Sequence, residues 1–131
     1  MSTITKEALG NIISNDVQKE NLGHVDLHQT RELLMDVGAV LLDVRPPAKV
    51  EGDNAQEAGI VNALYTPYPK FAESLDLLPT DKNTPIVVGC LKAWFANRVM
   101  GYLEMMGYTN VYVLQTSIVD LIEVHYAHTN R

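Results

Sequence analysis

The chain of 131 residues holds one cysteine, one tryptophan and two phenylalanines. A single thiol leaves no partner for an intramolecular disulfide, no four-cysteine zinc site and no Cys-x-x-Cys pair, so a reducing cytoplasm is the expected compartment. No apolar run approaches the roughly 20 residues of a membrane-spanning helix. The opening Met1-Ser2-Thr3-Ile4-Thr5-Lys6-Glu7 lacks the basic start and apolar stretch of a signal peptide. Positive charge is scarce too: ten Lys and Arg against sixteen Asp and Glu give a net charge of -6. That balance argues against a nucleic-acid or anionic-membrane binder. Repeats, low-complexity tracts and linkers are missing, which leaves one domain able to bury roughly two thirds of its unfolded surface.

What is present alternates between two periods. Thr5 is placed to cap a helix carrying Leu9, Ile12, Ile13 and Val17 on one face and ending by Gly23. Asp26, with Gln29 three residues on, forms a capping box for a second helix bearing Leu33, Leu34 and Val37, and Gly38 stops it. Ala39-Val40-Leu41-Leu42-Asp43-Val44 is then a nearly continuous apolar run, as expected of a parallel strand covered on both faces. Further strands are predicted over 59–65, 85–89 and 111–114. Helices are predicted after Pro67 with Phe71, Leu75 and Leu78, over 96–106 with Val99, Leu103 and Met106, and over 118–126 with Ile118, Leu121, Ile122 and His125. Residues 127–131 read as a frayed tail.

Alternating strands and helices imply right-handed crossovers and an α/β fold with a central, mostly parallel sheet and helices on both faces. In such sheets the ligand crevice lies beyond the carboxyl ends of the strands. Two segments leave there, Asp43-Val44-Arg45 and Gly89-Cys90-Leu91, so a thiol and a guanidinium share one edge. A cysteine just ahead of a helix faces unpaired backbone N–H groups and the positive end of the helix dipole, and both favour thiolate.

Four segments, in order and spacing, resemble the single-domain rhodanese-like proteins: Leu41-Leu42-Asp43-Val44-Arg45-Pro46-Pro47, Ala58-Gly59-Ile60-Val61-Asn62-Ala63, Pro85-Ile86-Val87-Val88-Gly89-Cys90, and Met106-Gly107-Tyr108-Thr109-Asn110-Val111-Tyr112-Val113-Leu114. The last of these reads as a hairpin into the final strand. The likeness covers about residues 25–124 and implies a three-layer rhodanese-like domain over 25–131, with residues 1–24 as an added N-terminal helical extension. It also implies a sulfurtransferase or sulfur carrier in which Cys90 becomes a persulfide. The segment from Leu91 through Lys92, Ala93, Trp94 and Phe95 to Ala96 would supply backbone N–H groups to the persulfide anion. No metal or organic cofactor is implied. The partners would be a small sulfur donor or acceptor or a thiol-bearing protein, with neither nucleic acid nor membrane.

Standard members of the family read cysteine, four residues, arginine; here Phe95 stands at the arginine position. The fixed fork for an anionic donor such as thiosulfate is thereby lost, and Lys92 is the one charge within the loop. The phosphatases on this fold use five intervening residues, and position 96 is alanine, so neither arginine is present. These departures leave open an alternative reading, a catalytically inactive interaction or regulatory module. Arg45 either faces substrate or braces the strand end against Asp43, whose expected work is structural. Phe95 either points into the core, in which case Trp94 faces outward, or points into the crevice. His125 and His128 lack a third metal ligand in sequence reach and suit a helix C-terminus instead.

Overall fold

The computed structural model describes residues 4–129, so the outer part of the expected tail, Asn130 and Arg131, lies outside the described residues. Five parallel strands form one sheet in the order β1-β5-β4-β2-β3. They are β1 (His24–Val25), β2 (Val40–Asp43), β3 (Ala63–Tyr65), β4 (Ile86–Gly89) and β5 (Val111–Leu114). Among the described residues, four α-helices accompany them: α1 (Lys6–Gln18), α2 (Leu27–Asp36), α3 (Trp94–Met105) and α4 (Ile118–Thr129). A kinked 3-10 segment spans Tyr68–Leu77. The three-layer α/β arrangement is therefore present, with every strand pair parallel.

The unbroken apolar strands follow from burial on both sides. Leu42, Ile86, Val88 and Val113 point to one face, where Ala96, Val99 and Leu103 of α3 meet Phe71 and Leu78. Leu41, Val87 and Leu114 point to the other, covered by Leu34 of α2 and Ile118, Leu121 and Ile122 of α4. At roughly 25 cal/mol per Å² of apolar surface removed from water, these two layers are the main source of stability.

The caps form as their residues predict: the Thr5 side chain accepts from Ala8 N, and Asp26 and Gln29 close a reciprocal capping box. Residues 107–110 connect α3 to β5 and are not a hairpin, because β5 runs parallel to its neighbours β4 and β1. Tyr108 anchors that connection by donating to Pro79 O at 2.6 Å, and Thr109 Oγ1 donates to Asn83 Oδ1 at 2.6 Å. The helix expected over 118–126 runs on through Thr129, so residues 127–129 are helical rather than frayed.

The apolar face expected on α1 does not enter the core, and no residue of that helix is buried. α1 lies against α3 and is held by polar reach: Asn15 Nδ2 donates to Thr109 O at 2.9 Å and Lys19 Nζ to Val111 O at 2.8 Å. Lys19 is largely stripped of water, which lowers its pKa despite Glu104 and Asp16 nearby. The chain then reverses through left-handed Asn21, Leu22 and Gly23. At Gly23 an added Cβ would lie 2.9 Å from Met100 Cε.

Candidate active site

Asp43 and Gly89 are register partners on β2 and β4, so the two strands release Val44-Arg45 and Cys90 side by side. Val44 N donates to Gly89 O at 3.0 Å, and from α4 Ile118 N donates to the Cys90 carbonyl at 2.9 Å. The cysteine backbone is thus gripped from two directions. Gly89 makes room for this, since a Cβ there would meet Ile118 Cδ1 at 3.0 Å. Cys90 itself is only 2% exposed, yet it forms part of the wall of a crevice of about 230 Å³.

After Cys90 the chain turns through Leu91, Lys92 and Ala93. Ala93 sits in the left-handed region at φ 64°, a conformation that costs an L-residue roughly 1–2 kcal/mol. It occupies the N-cap of α3 without a side-chain acceptor. The helix starts at Trp94 rather than at 96, so Trp94 and Phe95 form its first turn instead of an open loop. Their N–H groups are free in either case, because first-turn donors have no carbonyl four residues back. Among the described residues, the N–H groups of 91–96 donate to no protein acceptor, and none is bonded to the cysteine sulfur. Uncommitted donors at the positive end of a twelve-residue helix favour an anion.

Behind the crevice, Arg45 is 1% exposed and engages Asp43 with both arms of its fork, Nε to Oδ1 at 3.0 Å and Nη2 to Oδ2 at 2.8 Å. Asp43 also accepts from Arg45 N at 3.3 Å and from Ala55 N at 2.9 Å, which ties the loop after β2 to the strand end. Tyr65 donates to Arg45 O at 2.8 Å; burial, with Asp43 adjacent, raises its pKa and keeps the phenol a donor. In front, Phe95 is half-buried and stacked on Tyr68, ring centroids 4.7 Å apart and planes at 28°. Trp94 is 73% exposed, with Lys92 Nζ 5.7 Å from the centroid of its ring.

Of the residues singled out from sequence, the crevice thus joins Cys90, Arg45, Leu91, Lys92, Trp94 and Phe95. Ala93 shapes the turn, and Asp43 stands behind Arg45. His128 Nδ1 pairs with Val124 O at 2.9 Å on the last turns of α4, and His125 and His128 border a separate cavity. Among the described residues, no three of His, Cys, Asp and Glu gather into a metal-sized group.

The family model described as "Rhodanese-like domain" matches residues 26–123. The chain belongs to the rhodanese-like domain family. Solved structures agree on the fold. The reduced CoADR-RHD of Bacillus anthracis matches at TM-score 0.60 and 18% identity over 80% of this chain, although only 17% of that longer chain is spanned. A rhodanese-like domain from Anabaena gives 0.60 and 15% over 78% of this chain and 74% of its own. The polysulfide-sulfur transferase homodimer of Wolinella succinogenes gives 0.58 and 20%, covering 88% and 81%. No match is found among the curated proteins. Among the described residues, no helix of the rhodanese-like domain is long and apolar enough to cross a membrane.

Sequence reasoning missed three parts of this rhodanese-like site. Lys49 reaches the crevice from a 3-10 turn at Pro47–Lys49, at the start of a polar stretch over 49–57 that carries no core signal. Pro46 lines it as well. Tyr68 backs Phe95 from a segment distant in the chain, and its only signal was an aromatic directly after Pro67.

Proposed function

We propose that Cys90 carries a sulfane sulfur, taken from a donor as a persulfide and passed to an acceptor thiol or similar nucleophile in a cytoplasmic setting. The observation that most supports this is the placing of Cys90 on the crevice floor, beside a turn whose N–H groups have no protein acceptor and at the positive end of α3. The Wolinella structure, a polysulfide-sulfur transferase of similar fold, adds support. In the first half-reaction the Cys90 thiolate attacks the donor's outer sulfur, the bond behind that sulfur breaks, and its electron pair leaves with the donor. In the second, the acceptor thiolate attacks the outer sulfur of the persulfide and Cys90 departs as thiolate. Sulfur moves without net oxidation, so the scheme calls for no cofactor.

The test is intact mass after incubation with thiosulfate, inorganic polysulfide and organic persulfides. The expected result is a gain of one sulfur that disappears in Cys90→Ser. A folded protein that gains nothing from any donor would sink the proposal. It would favour a second reading, a non-catalytic binding module, for which Phe95 at the family's arginine position and the exposed Trp94 speak.

A further inference from the structure

The crevice above Cys90 has more room than an inorganic donor needs. At about 30 Å³ for each water in the liquid, its volume of about 230 Å³ is that of several waters. Its walls come from Pro46, Leu91, Trp94 and Phe95, with Lys49 and Lys92 also bordering it. Phe95 is fixed in place, because Tyr68 stacks on it and the Tyr68 hydroxyl meets that of Tyr102 at 3.0 Å. Trp94 leaves nearly three quarters of its surface uncovered beside the opening, an amphipathic plate ready to be buried by an apolar group.

The charges point the same way. Among the described residues, no carboxylate lines the crevice. Arg45 lines it too, but its Nε and Nη2 are committed to Asp43, so it offers no free fork to a sulfur oxyanion. The two lysines are mobile point charges, suited to a carboxylate at the rim and poorly suited to gripping an oxyanion at the sulfur.

We infer that the crevice selects organic persulfides and their thiols, R–S–SH and R–SH, in which R joins an apolar body of about the size of a benzyl group to one carboxylate or comparable anion. The inference rests on the sulfur-transfer reading above. In the loading step the Cys90 thiolate attacks the terminal sulfur of R–S–SH, the S–S bond breaks, RS⁻ leaves, and the proton stays on the transferred sulfur. Phe95 and Trp94 would bury R while Lys49 or Lys92 meets its anion.

The test is single-turnover loading of the full chain, followed by intact mass, with persulfides whose leaving thiols have comparable acidity. The probes are hydroxyethyl (small, neutral), carboxyethyl (small, anionic), benzyl (apolar, neutral) and 4-carboxybenzyl (apolar, anionic), beside thiosulfate. The 4-carboxybenzyl donor is expected to load at least about tenfold faster than the hydroxyethyl donor, the order of selectivity an apolar pocket supplies. Thiosulfate is expected to be slowest. Trp94→Ala, at an exposed position, should shrink the advantage of the benzyl donors, and joint Lys49→Ala and Lys92→Ala that of the carboxylates. Equal rates for all R groups, or thiosulfate fastest, would overturn the selectivity while leaving sulfur transfer standing. Loading from no donor would overturn both.

Discussion

Arg45 and Asp43 form a two-pronged ion pair, 3.0 and 2.8 Å, with both side chains almost wholly withdrawn from water at the edge where the crevice opens. Each charge there depends on the other. Removing one partner of such a pair strands the second and typically costs about 3–5 kcal/mol. Asp43→Ala should therefore lose stability on that scale, and more than Arg45→Met, because a stranded Asp43 keeps the backbone N–H donors at positions 45 and 55 whereas a stranded guanidinium cannot shed its charge. Denaturant midpoints compare the two. Equal, sub-kilocalorie losses would show that solvent reaches the pair.

A Cβ at Gly89 would crowd Ile118 Cδ1 at 3.0 Å, so the isoleucine must give way. Gly89→Ala should cost roughly 1–3 kcal/mol through overpacking. It should also slow sulfur loading of Cys90, because Ile118 N holds the Cys90 carbonyl at 2.9 Å. A second change, Ile118→Val, should recover part of the loss. If it recovers nothing, the contact is not the cause.

Ala93 stands in the left-handed region without being glycine. A β-branched side chain tolerates that conformation worse than alanine does, so Ala93→Val should destabilise by about 1–2 kcal/mol. Ala93→Gly should stay within about 1 kcal/mol of the parent, since relief of strain is offset by a more flexible unfolded chain. Thermal denaturation of the pair tests the turn directly.

Glu104 lies where α1 meets α3, and burial, helped by the neighbouring Asp16 carboxylate, raises its carboxyl pKa to about 8, Lys19 acting against the rise. Asp16 Oδ1 and Glu104 Oε2 are buried without a hydrogen-bond partner. A proton on Glu104 lets the carboxyl donate to Asp16. An acid whose folded pKa exceeds its unfolded value keeps a proton that the unfolded chain gives up. Its contribution is therefore whole below about 4.5 and is lost as pH rises to about 8. The slope should reach at most about 1.4 kcal/mol per pH unit. Glu104→Gln should flatten the stability profile across that window, and amide protection factors in α1, taken relative to the base-catalysed exchange of an unfolded chain, should fall toward pH 8 in the parent alone. A flat parent profile would refute the assignment.

Phe95→Arg restores the family's cationic loop position. It should raise loading from thiosulfate and give up the stack on Tyr68, a loss of about 0.5–1.5 kcal/mol. Kinetics with thiosulfate beside a melting curve separates the two effects.

The elements with strong local codes were readable from sequence. Thr5 and Asp26 cap helices because their oxygens satisfy first-turn N–H groups wherever the rest of the chain goes, and the run from Val40 to Asp43 declares a doubly covered strand. Cys90 and Arg45 could be placed on one edge because parallel topology fixes where strands end. β1 escaped notice because two residues carry no period, and it exists only through pairing with β5. α1 misled because a 3.6-residue apolar stripe reports amphipathicity, not burial; Val17 is 66% exposed. The Phe95–Tyr68 stack, the reach of Lys49 and the early start of α3 depend on where distant segments meet, for which a single sequence holds no local signal.

The two outermost strands of the sheet are also its shortest, β1 with two residues and β3 with three. Short borders offer another polypeptide few backbone groups to zip onto, which guards against runaway edge pairing. A protein that approaches this domain is therefore left to recognise it through side chains and helix surfaces, not by lengthening the sheet.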